Sequence, residues 1–264
     1  MRRRPSRSGS TDPGARAGPD GATARTSSDR LHQTGRVAHQ LVDIELTVKH
    51  VRAETPQHLS VVYERPRGFD YEAGDWIDLQ LEGDPRGGRT YSLSSSPTEP
   101  DLMITFKEGQ SELKKALAAS SAGDTARITA FGNDYEFQLD EHRDSVLIAG
   151  GVGVAPFRGM LKDMVDRQVP GSVELVYLNA SDDFLFKDEL DTWQTELAEA
   201  RVHYVVTRGL KRKDRERVLR DLVPATAHLY YVAGPEGMVE STETMLMASG
   251  VDHDDIRIDV FGGY

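Results

Sequence analysis

Alternation of apolar and polar residues begins at Val42. Ile44, Leu46 and Val48 alternate with Glu45, Thr47 and Lys49, the period-two pattern of a half-buried strand. Ile77, Leu79 and Leu81 repeat it with Asp78 and Gln80, and residues 59–63, 91–93, 102–106 and 126–131 are further β runs. Short gaps rich in Gly, Pro and Asp separate these runs. Six or so short strands with turn signals predict a small antiparallel barrel. One helix, over 111–119, interrupts them. After Arg143 the rhythm changes. Residues 145–149 form an apolar strand that runs into glycines. Pro156 is expected at the first position of a helix, where Phe157, Met160, Leu161, Met164 and Val165 make one apolar stripe. Strands over 173–177, 202–206, 229–232 and 256–260 then alternate with helices around 186–199, 213–222 and 236–248. That alternation predicts an open parallel sheet covered on both faces. The expected organisation is a tail over 1–40, a barrel domain over 41–140 and an α/β domain over 141–264.

Charge and composition narrow the chemistry. The 264 residues carry a net charge of −11. Residues 1–40 hold eight arginines and three aspartates, so the other 224 residues sit near −16. A body this acidic argues against general nucleic-acid binding. The basic first 40 residues show no period and are expected to be a flexible tail. No apolar segment of a secretion signal follows the opening arginines. No apolar run approaches the roughly 18–20 residues that a membrane helix needs, and a cytoplasmic location is expected. The absence of cysteine excludes disulfides, thiolate metal or iron–sulfur sites and a thiol nucleophile. The eight histidines show no metal-ligand spacing, so no metal is expected.

Five short motifs carry candidate chemistry. Arg89-Thr90-Tyr91-Ser92 lies on a strand: a guanidinium can hold a pyrophosphate, a phenol ring can stack on a flat heterocycle, and a hydroxyl can bond a ring nitrogen. Lys107-Glu108-Gly109-Gln110-Ser111 opens the barrel's helix with Ser111 as a good N-cap, and a helix start offers free amides to phosphate. Gly150-Gly151-Val152-Gly153-Val154-Ala155-Pro156 joins a strand to a helix and suits a dinucleotide pyrophosphate, although Pro156 breaks the usual glycine pattern. Ala233-Gly234-Pro235-Glu236-Gly237-Met238 is a second such turn, expected beside the first. The chain closes on Asp259-Val260-Phe261-Gly262-Gly263-Tyr264. Taken one at a time, an ordinary barrel strand, a plain helix cap and a structural turn account better for the first, second and fourth of these.

In this order, the five motifs resemble the ferredoxin–NADP(H) reductase superfamily over about residues 42–264. The resemblance implies an antiparallel flavin-binding β-barrel followed by a parallel-sheet dinucleotide-binding domain. It implies that Arg89 binds the flavin pyrophosphate, that Thr90 belongs to the same signature, that Tyr91 packs on the isoalloxazine ring and that Ser92 bonds near its N5. Gly109, Ser111 and neighbouring amides are implied for the other phosphate face. Gly151 and Gly153 are implied to pass the nicotinamide-dinucleotide pyrophosphate, with Pro156 fixing the helix start. Gly234, Pro235 and Met238 shape the nicotinamide pocket, and Phe261 or Tyr264 covers the ring. Ser92, Asp259 and Tyr264 are thus the residues expected nearest the hydride path. Two positions depart from the pattern: Ala233 stands where many members have cysteine, and Asp259 where many have glutamate.

The implied activity is a flavoprotein reductase moving electrons from NAD(P)H through FAD, which is preferred to FMN. The acceptor is expected to be a separate ferredoxin- or flavodoxin-type protein, an oxygenase component or free flavin. Thr207-Arg208 after a strand is similar to the serine–arginine pair of phosphate-selective members. Arg208, with Lys211 or Lys213, is therefore the candidate for the 2′-phosphate of NADPH, and NADH stays open. The acidic stretch 179–183 opposes a phosphate. Lys114 and Lys115 could meet an acidic carrier or simply be solvated. A non-catalytic NAD(P)H-binding regulatory or assembly subunit is the alternative, favoured by Ala233 and Asp259.

Overall fold

The computed structural model describes residues 38–81, 88–224 and 228–262. Most of the expected tail and Tyr264 lie outside them. β1 (Ala38–Thr55), β2 (His58–Glu64), β3 (Trp76–Leu81), β4 (Arg89–Ser92), β5 (Asp101–Lys107) and β6 (Thr125–Asn133) form one antiparallel sheet, ordered β4-β3-β6-β1-β2-β5. Helix α1 (Glu112–Ala119) is inserted between β5 and β6. β1 starts inside the range expected for the tail, because Ala38 to Leu41 pair with Asn133 to Ala130 on β6. Its 18 residues serve two partners, β6 with the first half and β2 with the second. Register shifts at Leu41/Ile44 and Val48/His50 bend the strand, as bulges do. The sheet curls until Leu93, just past β4, bridges Ile104 on β5 and brings the two edges together. Leu46, Val61, Tyr63, Ile77, Leu79 and Ile128 fill the barrel.

The second half holds β7 (Ser145–Gly150), α2 (Val154–Arg167), β8 (Val173–Asn179), α3 (Lys187–Glu196), β9 (Ala200–Val206), α4 (Arg212–Leu222), β10 (Leu229–Pro235), α5 (Glu236–Ala248) and β11 (Ile256–Phe261). Its five parallel strands run in the order β11-β10-β7-β8-β9. Helices α2 and α3 pack on one face, through Phe157, Met160 and Trp193. Helices α4 and α5 cover the other, through Leu219, Val239 and Leu246. Among the described residues, no helix is long and apolar enough to cross a membrane.

Beyond strands that run a few residues longer than expected, two helix starts differ from the sequence expectation. A short 3₁₀ turn over Gly151–Gly153 feeds directly into α2, so Pro156 is the third helical residue, not the first. It remains in the first turn, where a missing N–H breaks no helical bond. The helix expected over 186–199 is Lys187–Glu196, because Phe186 at its start has a left-handed φ of 57°.

Candidate functional site

All five parallel strands end on one edge of the sheet, and the strand order switches there, β8 and β9 lying on one side of β7 and β10 and β11 on the other. Such a crevice at the carboxyl ends is where open α/β sheets take ligands. Gly150 ends β7, Pro235 ends β10 and Phe261 ends β11, with Pro235 and Phe261 paired in register. The two strand-to-helix turns touch backbone to backbone. A Cβ on Gly153 would lie 2.2 Å from the Ala233 carbonyl oxygen and 2.7 Å from the Gly234 Cα. Gly234, at φ 148°, rests on Gly150 less tightly, a Cβ there lying 3.0 Å from the Gly150 carbonyl oxygen, and a Cβ on Gly150 would meet the Met238 and Pro235 side chains at 2.9 and 3.1 Å. Gly153 and Gly234 are therefore glycines for close packing. Gly151 differs: its φ is 55° and no atom lies within 4 Å of where a Cβ would be. It borders open space just ahead of α2, whose first N–H, on Val154, is taken by the Gly151 and Val152 carbonyls of the 3₁₀ turn. Ala233 is fully buried in the core under this turn, with Phe261 packed against the same cluster.

The barrel contributes β4. Arg89 and Thr90 are exposed, Tyr91 is half-buried with its ring edge-on to Phe106, and Ser92 is buried. The Ser92 hydroxyl donates a 2.5 Å hydrogen bond to Asp259 Oδ2 on β11. Loss of solvent pushes the Asp259 carboxyl up to about 6; the Ser92 bond acts downward, and Asp134 pushes it further up. Asp134 follows the end of β6 and was not anticipated as a neighbour of this site. Its own carboxyl is also raised by burial. The two residues after it, Tyr135 and Glu136, both have left-handed φ, 58° and 54°, which is uncommon away from glycine.

Ser111 is the N-cap of α1, its Oγ accepting from the Lys114 N–H at 3.3 Å. Gly109 sits against the Lys114 side chain, and Lys115 pairs with Glu112. Beside this end of the barrel, burial and then Lys107 push the His58 ring down to about 4, while Asp183 acts the other way. The barrel's α1 end and the sheet's 180–186 loop therefore act on the same side chain.

At the end of β9, the Thr207 N–H and Oγ1 both donate to the Asn179 carbonyl, at 2.7 and 3.0 Å. This ties the expected phosphate segment to the acidic 179–183 loop. Arg208, Lys211 and Lys213 are exposed, and among the described residues none of them forms an ion pair, whereas Arg212 is taken by Glu216. A cavity of about 450 Å³ lies elsewhere, at the amino end of β8 between Leu139, Met164 and Val173, and none of the expected site residues lines it.

Residues 147–244 match the oxidoreductase NAD-binding domain family. The chain is 28% identical over 233 residues to the ferredoxin reductase component of a 3-ketosteroid-9-alpha-monooxygenase from Mycolicibacterium smegmatis, covering 83% of this chain and 65% of that one. It is 33% identical to a 3-chlorobenzoate-3,4-dioxygenase reductase subunit from Comamonas testosteroni, covering 65% and 52%. The chain thus spans less than two thirds of the length of either relative. A crystal structure of a ferredoxin NADP+ reductase from Neisseria gonorrhoeae, with bound FAD and NADP, superposes with a TM-score of 0.69. It is 22% identical and covers 83% of this chain and 98% of that one. A curled antiparallel barrel joined to a five-stranded parallel sheet, the matched NAD-binding segment and these relatives together place the chain in the ferredoxin–NADP(H) reductase superfamily.

Proposed function

We propose that this protein is a flavoprotein reductase that carries electrons from NAD(P)H through FAD to a separate acceptor. The observation that carries the reading is the Ser92–Asp259 bond. It joins the barrel strand expected to hold flavin to the sheet edge expected to hold nicotinamide.

The residues present fit both groups. The open space at Gly151 is a cradle that a side chain would fill, and the adjoining helix start favours phosphate. On the barrel, Arg89 is exposed on β4, two residues before Tyr91, with Nη1 on the Gly88 carbonyl at 3.0 Å, and the 109–111 segment lies between Lys107 and Lys114. When bound, the flavin supplies a ring that accepts a hydride and releases its electrons singly or in pairs. The chain's own contribution is positioning. Ser92 and Asp259 orient the reacting edges, and Asp259, with a midpoint near 6, can hold or release a proton at Oδ2 in the neutral range. Gly234, Pro235 and Met238 wall the nicotinamide side, and Phe261, or Tyr264 outside the described residues, covers the flavin.

We assign NADPH as the donor through Arg208, supported by Lys211 or Lys213, against the opposing charge of Asp182 and Asp183. The M. smegmatis and C. testosteroni relatives are reductase components of oxygenases, which supports a separate acceptor: a ferredoxin- or flavodoxin-type protein or an oxygenase component. A body near −16 disfavours a strongly acidic carrier, so the acceptor is expected to dock by local contacts.

The test is colour. Purified protein should be yellow, release FAD on denaturation and bleach anaerobically with NADPH. Colourless protein that takes up no FAD overturns the reading. Colourless protein that still binds NAD(P)H would support the regulatory alternative, for which the fully buried methyl of Ala233 in place of a thiol speaks.

A further inference from the structure

Arg158 lies on α2, just beyond the Gly-rich turn, and is 3% exposed. All of its donors are used. Nε and Nη2 donate to Glu189 at 2.9 and 2.8 Å. Nη1 and Nη2 donate to Glu99 at 2.6 and 3.0 Å. Nη1 also donates to the Ser94 carbonyl at 3.0 Å. Phe186 and Trp193 flank the guanidinium, with centroids 5.6 and 5.4 Å away.

These partners fall on two sides. Glu189, Phe186 and Trp193 belong to the parallel-sheet domain. Glu99 and Ser94 belong to the barrel, on the segment that leaves Ser92. That segment is held from within the barrel too, as Tyr71 Oη donates to the Ser96 carbonyl at 2.7 Å and is hydrogen-bonded to the Ser95 hydroxyl at 2.9 Å. Glu99 Oε2 accepts from the Ser96 N–H at 2.7 Å. One residue further along α2, a Cβ on Gly159 would lie 2.7 Å from the Ser95 carbonyl oxygen, so the helix backbone rests directly on it. Residues 92–99 thus carry several cross-domain fastenings: Ser92 to Asp259, Ser94 with Glu99 to Arg158, and, further along α2, Ser96 to Asp163 at 3.4 Å and Thr98 to Asp166 at 2.6 Å, of which Arg158 makes the most bonds and is the buried one. A planar, five-donor fork is the side chain that can serve two carboxylates and a carbonyl in fixed directions; a lysine ammonium cannot.

We propose that Arg158 is a positioning residue for hydride transfer, its fork clamping the Ser94–Glu99 side of the barrel to helix α2 and so fixing how Ser92 and the nicotinamide-side turn face each other. Transfer from nicotinamide to flavin moves one hydride, two electrons with one proton, over a short distance, and its rate falls steeply with misplacement. The inference rests on the reductase reading.

Three variants of the full chain test it: Arg158→Lys, Glu99→Gln, which weakens the cross-domain arm, and Glu189→Gln, which weakens the arm within the sheet domain. Anaerobic stopped-flow at saturating NADPH, with and without deuterium at the transferred position, reads the limiting rate of flavin reduction. Hydrogen exchange over residues 93–99 in the nucleotide-free protein reads the clamp itself. Arg158→Lys and Glu99→Gln should cut the limiting rate by about tenfold or more while FAD content and NADPH Kd change by less than about threefold. Exchange over 93–99 should accelerate in the same two variants. Glu189→Gln should stay within about twofold of the wild type in both readouts. If Arg158→Lys does not fold, Glu99→Gln against Glu189→Gln decides. Faster exchange with an unchanged limiting rate overturns the positioning role, and so does a Glu189→Gln variant as slow as Glu99→Gln. Wild-type protein that NADPH does not reduce overturns the reductase reading instead, and an unchanged exchange pattern in Glu99→Gln separately overturns the clamp.

Discussion

Ser92 and Asp259 stand 167 positions apart in the chain and 2.5 Å apart in space. The contact joins two domains and two chemistries: a hydroxyl that can only orient, and a carboxyl whose proton affinity lies close to neutrality. The hydroxyl lowers that affinity by donating to the charged form, against the burial that raises it. Ser92→Ala should therefore move the Asp259 midpoint above about 6. The pH profile of flavin reduction should shift upward, and the rate at pH 7 should drop by about ten- to a hundredfold. Stopped-flow reduction from pH 5 to 9 checks this, and an unshifted profile would separate Asp259 from the rate.

The same carboxyl makes stability depend on pH. Its folded midpoint is about 6 against an ordinary value of 3.8. Between those values the folded chain binds more protons than the unfolded chain, so stability falls as pH rises from 3.8 through 6 and stays lower above. Asp259→Asn removes this slope. Relative to the wild type it should gain about 1–3 kcal/mol between pH 4 and pH 7.5. Urea unfolding at the two pH values measures it; parallel stability curves would count against a raised carboxyl.

Two neighbouring glycines should respond differently to alanine. At Gly153 the new methyl would meet the Ala233 carbonyl at 2.2 Å, and the cost should be about 3 kcal/mol or more. At Gly151 there is space, and only the left-handed backbone objects, at about 1–2 kcal/mol. Gly151→Ala should instead lose nucleotide affinity, because its methyl enters the proposed pyrophosphate cradle. Thermal unfolding and NADP+ titration separate the two effects. Equal stability losses would contradict the packing geometry.

Arg208→Ala should raise the KM for NADPH by about tenfold or more and leave that for NADH within about twofold, since a phosphate is the group that a free guanidinium selects. Steady-state assays with both donors decide. Equal changes would remove the phosphate site from the end of β9.

Much of the architecture is legible in the sequence because its two halves use different periods. The alternation at Ile44–Val48 and Ile77–Leu81 marks barrel strands, and the βα rhythm after Arg143 marks the parallel sheet. The start of β1 is not legible: Ala38, His39 and Gln40 carry no strand pattern and are strand only because β6 pairs with them. Nor does local sequence show that Gly151–Gly153 winds into a 3₁₀ turn ahead of Pro156. At the site, the order of the motifs gave Ser92 and Asp259 through a resemblance, not through spacing. Asp134 and Arg158 escaped notice, because nothing local shows what a lone acid in a turn or a lone arginine will face. Arg158 left one faint sign, a charge set among Phe157, Gly159, Met160 and Leu161 on a helix whose whole start is buried.

β11 has a consequence for how the molecule is made. It is the last described strand, and it adds to an edge of the sheet beside β10, which is complete some twenty residues earlier in synthesis. The barrel needs nothing beyond β6 to pair its strands. A growing chain can therefore pair the barrel strands well before Asp259 has been translated. Domains generally fold as units during synthesis. The bond between Ser92 and Asp259 then follows the pairing of the barrel strands, so a chain stopped before β11 would keep the barrel's own pairings while Ser92 lacked the carboxyl that it meets.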